Sequence, residues 1–261
     1  MTAGRVARRT ILAIGLPIVL LAAWWVLTAN SVNPYVPPLK DIFAIFPETW
    51  TVDRLGSDVL PSILRLLVGF AVAVALGVAL GVWVGSSRTV RAVLEPVLEF
   101  FRAIPPPVIV PILILVAGIG DTMKILVIVS GCIWPVLLNT VEGVRAQDEV
   151  LRDTARCYGF SRMGRLRHLV LPSASPQIVA GTRQALSLGI ILMVISEMFA
   201  ASNGLGFTIV QFQRGFAIPE MWSGIIVLGL IGILLNFAFR LVERRALGWY
   251  LGLRRAQRGG E

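Results

Sequence analysis

The sequence predicts an all-α membrane protein, a polytopic bundle of six transmembrane helices with one long cytoplasmic loop. The first observation is composition: 56% of the 261 residues are hydrophobic and 15% are charged, with a mean hydropathy of +0.79. Soluble domains are usually about 45–50% apolar and about 25% charged. The second is the recurrence of apolar stretches near the roughly 20 residues that a spanning helix needs. Disorder is excluded because it requires low hydrophobicity. We therefore expect a single membrane domain over residues 1–261.

The first predicted element is an N-terminal helix within residues 1–30, whose apolar part is Ile11–Ala29. Three arginines precede it, as in a secretory signal peptide, and that alternative is open. The stretch is long, however, no clear cleavage site follows, and Trp24 and Trp25 lie near its far end, where tryptophans anchor helices at a membrane interface. We predict an uncleaved span. A polar segment, Asn30–Pro61, comes next.

Five further apolar stretches predict a core bundle over residues 64–241. They are Leu64–Val84, Ile104–Gly118, Met123–Leu138, Ile178–Ala200 and Trp222–Leu241. Ser86–Arg102 is predicted to be a polar loop, and residues 139–177 a long basic loop.

Two prolines, Pro105 and Pro111, lie at the start of the third predicted span. One interpretation is a disturbed helix beside a transport pathway, where freed carbonyls are satisfied by protein or water. The other is an ordinary helix start with proline in its first turn. The sequence favours neither.

The basic residues predict the orientation. With the N-terminus in the cytoplasm, nineteen of the 24 lysines and arginines fall on cytoplasmic segments or at their edges. This is the distribution that the positive-inside rule requires. Both termini are then cytoplasmic. Basic cytoplasmic segments thus account for the net charge of +9, and no nucleic-acid partner is needed to explain it.

Residue types that carry chemistry are scarce. The chain has two cysteines and one histidine, without a CxxC pair or a phosphate-binding GxxxxGK loop. We therefore expect no metal, no cofactor and no catalytic residue. An intramembrane enzyme would need a nucleophile and a base inside the bundle, and neither is visible. An ion-coupled carrier usually shows internal repeats and several buried ionisable groups, which are also not evident.

Two ionisable residues, Arg65 and Glu197, lie inside predicted spans at similar depth on the outer side. Such residues are costly in a membrane and often functional. They either pair and fix the outer end of the bundle, or each extends separately to the interface. Arg183 lies nearer the cytoplasmic edge.

A stripe of small residues at steps of four runs along the second span. Its members are Gly69, Ala73, Gly77, Gly81 and Gly85. Such a stripe lets helix backbones approach closely. The stripe is either a surface along which helices slide during transport or a contact that packs a static bundle.

The basic loop contains one short amphipathic helix, predicted over Val150–Tyr158. Val150, Leu151, Thr154 and Tyr158 share one largely apolar face. Gly159 supplies a helix stop, and Phe160 follows it. Periodicity alone leaves open whether this face binds a protein or lies on the membrane surface.

The spacing of the loop resembles the EAA loop of ABC importer permeases, E-A-A-x3-G-x9-I-x-L-P. Here it reads Asp153-Thr154-Ala155, Gly159 and Leu169-Val170-Leu171-Pro172, with three conservative departures. Further likenesses point to the sulfonate/nitrate/taurine-type branch and span about residues 35–245. They include the stretches Ala155-Arg156-Cys157-Tyr158-Gly159 and Ser202-Asn203-Gly204-Leu205-Gly206, which follows Glu197.

The resemblance implies a permease subunit in the bacterial cytoplasmic membrane that moves a small solute by alternating access. It implies a homodimer, a separate ATP-binding subunit that alone binds ATP, and an extracytoplasmic solute-binding protein. The residues that it assigns to ATPase docking are Val150, Leu151, Asp153, Thr154, Ala155, Arg156, Tyr158, Gly159, Phe160, Leu171 and Pro172. From their positions in the predicted spans, we expect structural or pathway roles for a further set of residues: Arg65, Glu197, Arg183, Pro105 and Pro111.

Overall fold

A computed structural model describes residues 3–199, 201–250 and 252, and for residues 3–14 the backbone alone. Regular structure in these residues is entirely helical. Two predicted segments lie outside these residues. One is the basic tail beyond residue 252, and the other is Ala200, the predicted end of the fifth span. The helices are α1 (Ala3–Thr28), α2 (Leu39–Thr49), α3 (Val52–Arg54), α4 (Leu60–Ser86), α5 (Arg88–Ala103), α6 (Pro106–Ala117), α7 (Asp121–Arg145), α8 (Glu149–Cys157), α9 (Arg162–Arg165), α10 (Leu171–Phe199), α11 (Leu205–Arg214) and α12 (Ile218–Ala246).

Four helical stretches among the described residues are long and apolar enough to cross a membrane. They are Val52–Ser86, Asp121–Arg145, Arg162–Phe199 and Ile218–Ala246. The pair α5 and α6 qualifies as one broken span, bent by 90°. The part of α1 over Gly15–Thr28 is apolar but shorter. The all-α membrane class is thus confirmed with four or five spans, and the count of six stays a prediction.

The third span and the loop before it differ from the prediction. Ser86–Arg102 is not an irregular loop, because Arg88–Ala103 forms the helix α5, whose start is capped by Ser87 accepting a hydrogen bond from the Val90 N–H. Its polar residues alternate with apolar ones at helical spacing, and composition alone hides that pattern. The helix α6 has only 12 residues and is too short to cross a membrane alone.

The helix α7 occupies the centre of the bundle and lies parallel to α4. A methyl group placed on Gly69, Gly77, Gly81 or Gly85 would lie 2.5–2.9 Å from the side chain of Ile128, Val136, Thr140 or Val144, respectively. In each glycine–side chain pair the two residues are separated by the same distance along the sequence. The two helices therefore run in the same direction, and their contact continues without a shift along this length. The small-residue stripe of α4 is therefore the contact surface with α7, where any larger side chain would force the helices apart.

The helix α10 lies antiparallel on another side of α7. Gly181 sits against the Pro135 carbonyl and Asn139, whereas Gly189 sits against Cys132. The core between the three helices contains fully buried side chains from each of them, among them Leu66, Ile128 and Met193. These contacts make α4, α7 and α10 one tightly packed unit.

The helices overrun the predicted loop boundaries. The helix α7 continues to Arg145 and α10 begins at Leu171, so the basic loop predicted over residues 139–177 is shorter than expected and itself contains α8 and α9. The helices α2 and α11, which the sequence did not indicate, pack against α12. The Trp50 Nε1–H donates to Ser223 Oγ at 2.9 Å and ties the end of α2 to α12.

Candidate functional site

An ionic cluster joins four elements at one end of the bundle, the Arg65 end; its centre is buried, and Asp121 lies at its exposed edge. The cluster consists of Ser62, Arg65, Asp121, Glu197 and Asn203. The Arg65 guanidinium donates from Nη1 to Glu197 Oε1 at 2.9 Å and from Nε to Asp121 Oδ1 at 2.8 Å. Its Nη2 donates to Asn203 Oδ1 at 2.6 Å. Arg65 is 4% exposed and Glu197 1%. The ion pair that the sequence left open is therefore present.

The carboxylate of Glu197 also holds the start of α11. It accepts a hydrogen bond from the Gly206 N–H at 2.9 Å and lies 2.7 Å from Ser62 Oγ. Ser62 Oγ in turn accepts a hydrogen bond from the Leu205 N–H at 2.9 Å. The first N–H groups of a helix have no partner within the helix, and a nearby negative charge satisfies them favourably. Glu197 thus bonds to α4 and to the start of α11.

Glycine is required where the chain turns from α10 into α11. Gly204 has φ +117°, and a methyl group there would lie 2.5 Å from the Glu197 carboxyl carbon. A methyl group on Gly206 would lie 2.5 Å from the Val194 carbonyl oxygen. The Asn203–Gly206 segment can wrap the carboxylate only because these two positions have no side chain.

Lys124 adds a second buried cation beside the cluster. It is 3% exposed, and its Nζ lies 3.7 Å from Asp121 Oδ1. Arg65 and Lys124 balance the charges of Asp121 and Glu197, and four of the five N–H groups of Arg65 have acceptors. The charges of the site are therefore balanced and only one arginine N–H has no acceptor in the part of the chain that the structure describes, so these side chains mainly hold the helices together.

Sequence reasoning missed Ser62, Asp121, Lys124 and Asn203 as partners of the ion pair. Ser62 had a usable signal, because it lies three residues before Arg65 on the same face of a helix. Asp121 and Lys124 are oppositely charged and have the same spacing at the start of α7. Asn203 was noticed only as part of a motif.

The remaining residues with predicted structural or pathway roles lie apart from the cluster. Arg183 is exposed and pairs with Glu243 of α12. Pro105 precedes α6 at the bend, and the ring of its neighbour Pro106 lies against Gly131 of α7. Pro111 lies inside α6, next to the fully buried Val110.

The second candidate site is the helix α8, at the opposite end of the bundle. Asp148 caps its start by accepting a hydrogen bond from the Val150 N–H at 2.8 Å. Its end is closed by Gly159, which has φ +68°. The Phe160 N–H donates to the Ala155 carbonyl and the Gly159 N–H to that of Arg156. This is the Schellman arrangement, so the helix predicted over Val150–Tyr158 and its glycine stop are confirmed.

The two faces of α8 differ in character. Val150 and Tyr158 are 72% and 79% exposed, and Leu151 is also exposed. The Thr154 hydroxyl on this face donates to the Val150 carbonyl. The opposite face carries Arg152 and Arg156, which line a cavity shared with the end of α4. The apolar face therefore points away from the bundle.

The other predicted docking residues are divided between α8 and the bundle. Asp153 pairs with Arg156 at 3.1 Å on the surface of α8, and Phe160 is exposed just beyond it. Leu171 and Pro172 are half-buried at the start of α10, where Leu171 lies beside α4. A π-helical turn precedes them, in which the Leu171 N–H donates to the Leu166 carbonyl. Such a turn suits a position before a proline, which has no N–H of its own.

Comparisons with known proteins agree on one family. The profile described as "Binding-protein-dependent transport system inner membrane component" matches residues 73–247. The chain is 32% identical to the taurine transport system permease protein TauC of Escherichia coli (strain K12), over 94% of this chain and 91% of that protein. It is 30% identical to the putative aliphatic sulfonates transport permease protein SsuC of Bacillus subtilis (strain 168), over 90% of this chain and 86% of that protein.

The fold also matches a solved structure. A chain of the MetNI methionine ABC transporter, in an inward-facing conformation, superposes with a TM-score of 0.63. The match covers 72% of this chain and 94% of that chain at 21% sequence identity. It supports the arrangement of the helices.

Proposed function

Because the chain belongs to the binding-protein-dependent transport system inner membrane components, the permease subunits of ABC importers, we propose that it carries a small organic sulfonate or similar oxyanion. The substrate class rests on relatives whose names specify taurine and aliphatic sulfonates. Taurine is itself a sulfonate, and nitrate, the other substrate of the branch that the sequence resembles, is also an oxyanion. A separate solute-binding protein would select the solute and deliver it to the Arg65 end.

The observation that carries the mechanism is the exposed apolar face of α8. Val150, Leu151 and Tyr158 lie on a helix that is capped at both ends by its own residues. Leaving large apolar side chains in water is unfavourable, and an exposed apolar helix face is a common binding surface for a protein groove. A groove on the ATP-binding subunit would cover this face, including Thr154, and Phe160 would contact it just beyond the end of α8.

This assignment orients the protein. The α8 end would face the cytoplasm, together with both termini, and the Arg65 end would face outward. ATP would be bound and hydrolysed by the partner subunit, whereas this chain would supply no catalytic residue and hold no cofactor. Two copies of the chain would form the pathway between them.

The same geometry suggests how the motion passes through the bundle. The helices α4, α7 and α10 are joined by glycine contacts along their length and by the ionic cluster. They would move as one body when α8 is pushed, because tightly packed cores shift as units instead of deforming. The pair of Arg183 and Glu243 would couple α12 to this body, and the bend between α5 and α6, near Pro105 and Pro111, would line the pathway.

The docking proposal is tested with Val150→Asp in the full chain, expressed with its ATPase subunit. Burial of a valine contributes about 1.5–3 kcal/mol, so a charge there should weaken co-purification of the ATPase about tenfold or more. Solute uptake driven by ATP should fall in parallel. Val32→Asp is the matched control, because Val32 is 98% exposed and lies in the segment between α1 and α2.

Two results would contradict the proposal. One is normal ATPase binding by Val150→Asp. The other is equal loss of binding in Val32→Asp, which would mean that the substitution harms the protein wherever it is placed. The substrate class is tested separately by uptake of labelled taurine into vesicles that contain the complete system. Competition by other sulfonates but not by neutral amino acids is the expected pattern.

A further inference from the structure

A cavity of about 810 Å³ lies at the α8 end, between the last turns of α4 and the helices α8 and α9. Its wall is strongly basic, and none of the described residues that line it is acidic. The arginines in the wall are Arg152, Arg156, Arg162 and Arg165.

The positive charge of this cavity is only partly balanced. Arg152 and Arg156 pair with exposed carboxylates of their own helix, whereas Arg162 and Arg165 form no ion pair within the described part of the chain. Gln147 Nε2 and Arg152 Nε, also in the wall, are buried and donate to no acceptor among the described residues. Buried donors are normally satisfied, so this wall is suited to an anion that the protein itself does not supply.

An apolar groove of about 590 Å³ continues from the cavity along α4. Its lining consists entirely of apolar residues: Val74, Ala75, Val78, Ala79, Val82, Leu166 and Leu171. Three of these, Ala79, Val82 and Leu166, also line the cavity. Along α4 the groove extends about 12 Å from Val74 to Val82, toward the middle of the span. Trp83, a residue type that marks the interface between membrane and water, lies in the cavity wall beside it.

We propose that the cavity and the groove together bind one anionic phospholipid, with its phosphate among the arginines and an acyl chain along α4. The order of the two parts supports a lipid, because the charged part lies at the helix end and the apolar part lies deeper in the span. A free phosphate would leave the groove empty, and an acidic protein segment would not suit its wholly apolar wall. The bound lipid would hold α8 against the bundle on the side opposite its exposed apolar face.

The test uses the full chain in phosphatidylcholine nanodiscs that contain a small fraction of phosphatidylglycerol. Native mass spectrometry then counts the phosphatidylglycerol retained per chain. The double variant Arg162→Gln with Arg165→Gln should bind it about 25-fold more weakly, since each arginine near an anionic lipid contributes on the order of fivefold in affinity. The matched control is Arg244→Gln with Arg245→Gln, which removes the same charge from the exposed end of α12.

Two further arms identify the source of the phosphate group. Val78→Trp fills the groove and should reduce retention of the lipid, whereas Leu76→Trp, on an exposed face of α4 outside the groove, should not. Inorganic phosphate added in excess should not displace the lipid. Displacement by phosphate, with no effect of Val78→Trp, would instead make the cavity a site for a free anion and overturn the proposal.

The proposal is also overturned if phosphatidylcholine is retained as well as phosphatidylglycerol, or if both double variants lose the lipid equally. Loss of the lipid when the ATPase subunit is added would assign the arginines to acidic groups of that subunit. Retention in the complete complex, sensitive to Arg162 and Arg165, is the expected result.

Discussion

The two ends of the bundle hold their charged side chains in opposite ways. At the Arg65 end, Arg65 and Glu197 are buried, and their bonds run between different helices. At the α8 end, the ion pairs of Arg152 and Arg156 join residues three apart on one exposed helix. Ion pairs at the Arg65 end therefore determine how helices pack against one another, whereas the ion pairs on α8 act within a single helix.

The difference corresponds to two tasks. Buried charges that join helices must be paired, because an unpaired charge in the interior is costly. A docking helix must keep its binding face free and depend on its own caps for shape. Breaking the ion pairs at the Arg65 end should therefore damage the whole fold, and changing α8 should damage binding while the fold survives.

The largest expected effect comes from Glu197→Gln. The change removes the negative charge, leaves Arg65 buried with less compensation, and should lower the free energy of unfolding by about 3–5 kcal/mol. Denaturant or thermal unfolding of the full chain in detergent measures it. Glu48→Gln, at an exposed carboxylate of α2, should change stability by no more than about 0.5 kcal/mol. Equal stability of the two variants would mean that the ionic cluster does not hold the helices together.

Gly204→Ala should have the next largest effect. A methyl group there would lie 2.5 Å from the Glu197 carboxyl carbon, and φ +117° is strained for alanine. Such strain costs about 1–3 kcal/mol, and displacement of the carboxylate adds to it. The control is Gly229→Ala in α12, where nothing lies within 4 Å and where alanine should raise stability by up to about 1 kcal/mol. Unfolding curves that shift equally for both variants would contradict this role of Gly204.

The contrast between the two ends also explains what the sequence could predict. The helix α8 was predictable almost to the residue, because its apolar spacing and Gly159 are local signals. The ion pair of Arg65 and Glu197 was predictable only as one of two alternatives, since depth in a span does not define distance across it. Asp121 and Asn203 were missed because only the assembled bundle brings them to Arg65. The helix α5 was missed because a polar composition hid its helical period.

Gly159→Ala should separate binding from stability. The residue has φ +68° and no neighbour within 4 Å of an added methyl group, so the cost is conformational, about 1–2 kcal/mol, and is confined to the end of α8. The expected result is severalfold weaker ATPase co-purification with an unchanged midpoint of global unfolding. Gly56→Ala is the control, because an added methyl group there also meets nothing within 4 Å and φ is not positive. A global loss of stability in Gly159→Ala would show that α8 supports the fold.

The smallest expected effect is that of Asp153→Asn on stability. Asp153 and Arg156 are both well exposed, and an ion pair of this kind on a helix contributes about 0.3–0.5 kcal/mol, which salt screens further. The unfolding midpoint of Asp153→Asn should therefore shift only slightly at 50 mM salt and less still at 500 mM salt. The shift expected for Glu197→Gln is much larger. ATPase co-purification should nevertheless weaken, because Asp153 lies at the position of the motif's acidic residue. If Asp153→Asn destabilised the chain as much as Glu197→Gln, the exposed and the buried ion pair would contribute equally to stability. The proposed difference in role between the two ends would then be wrong.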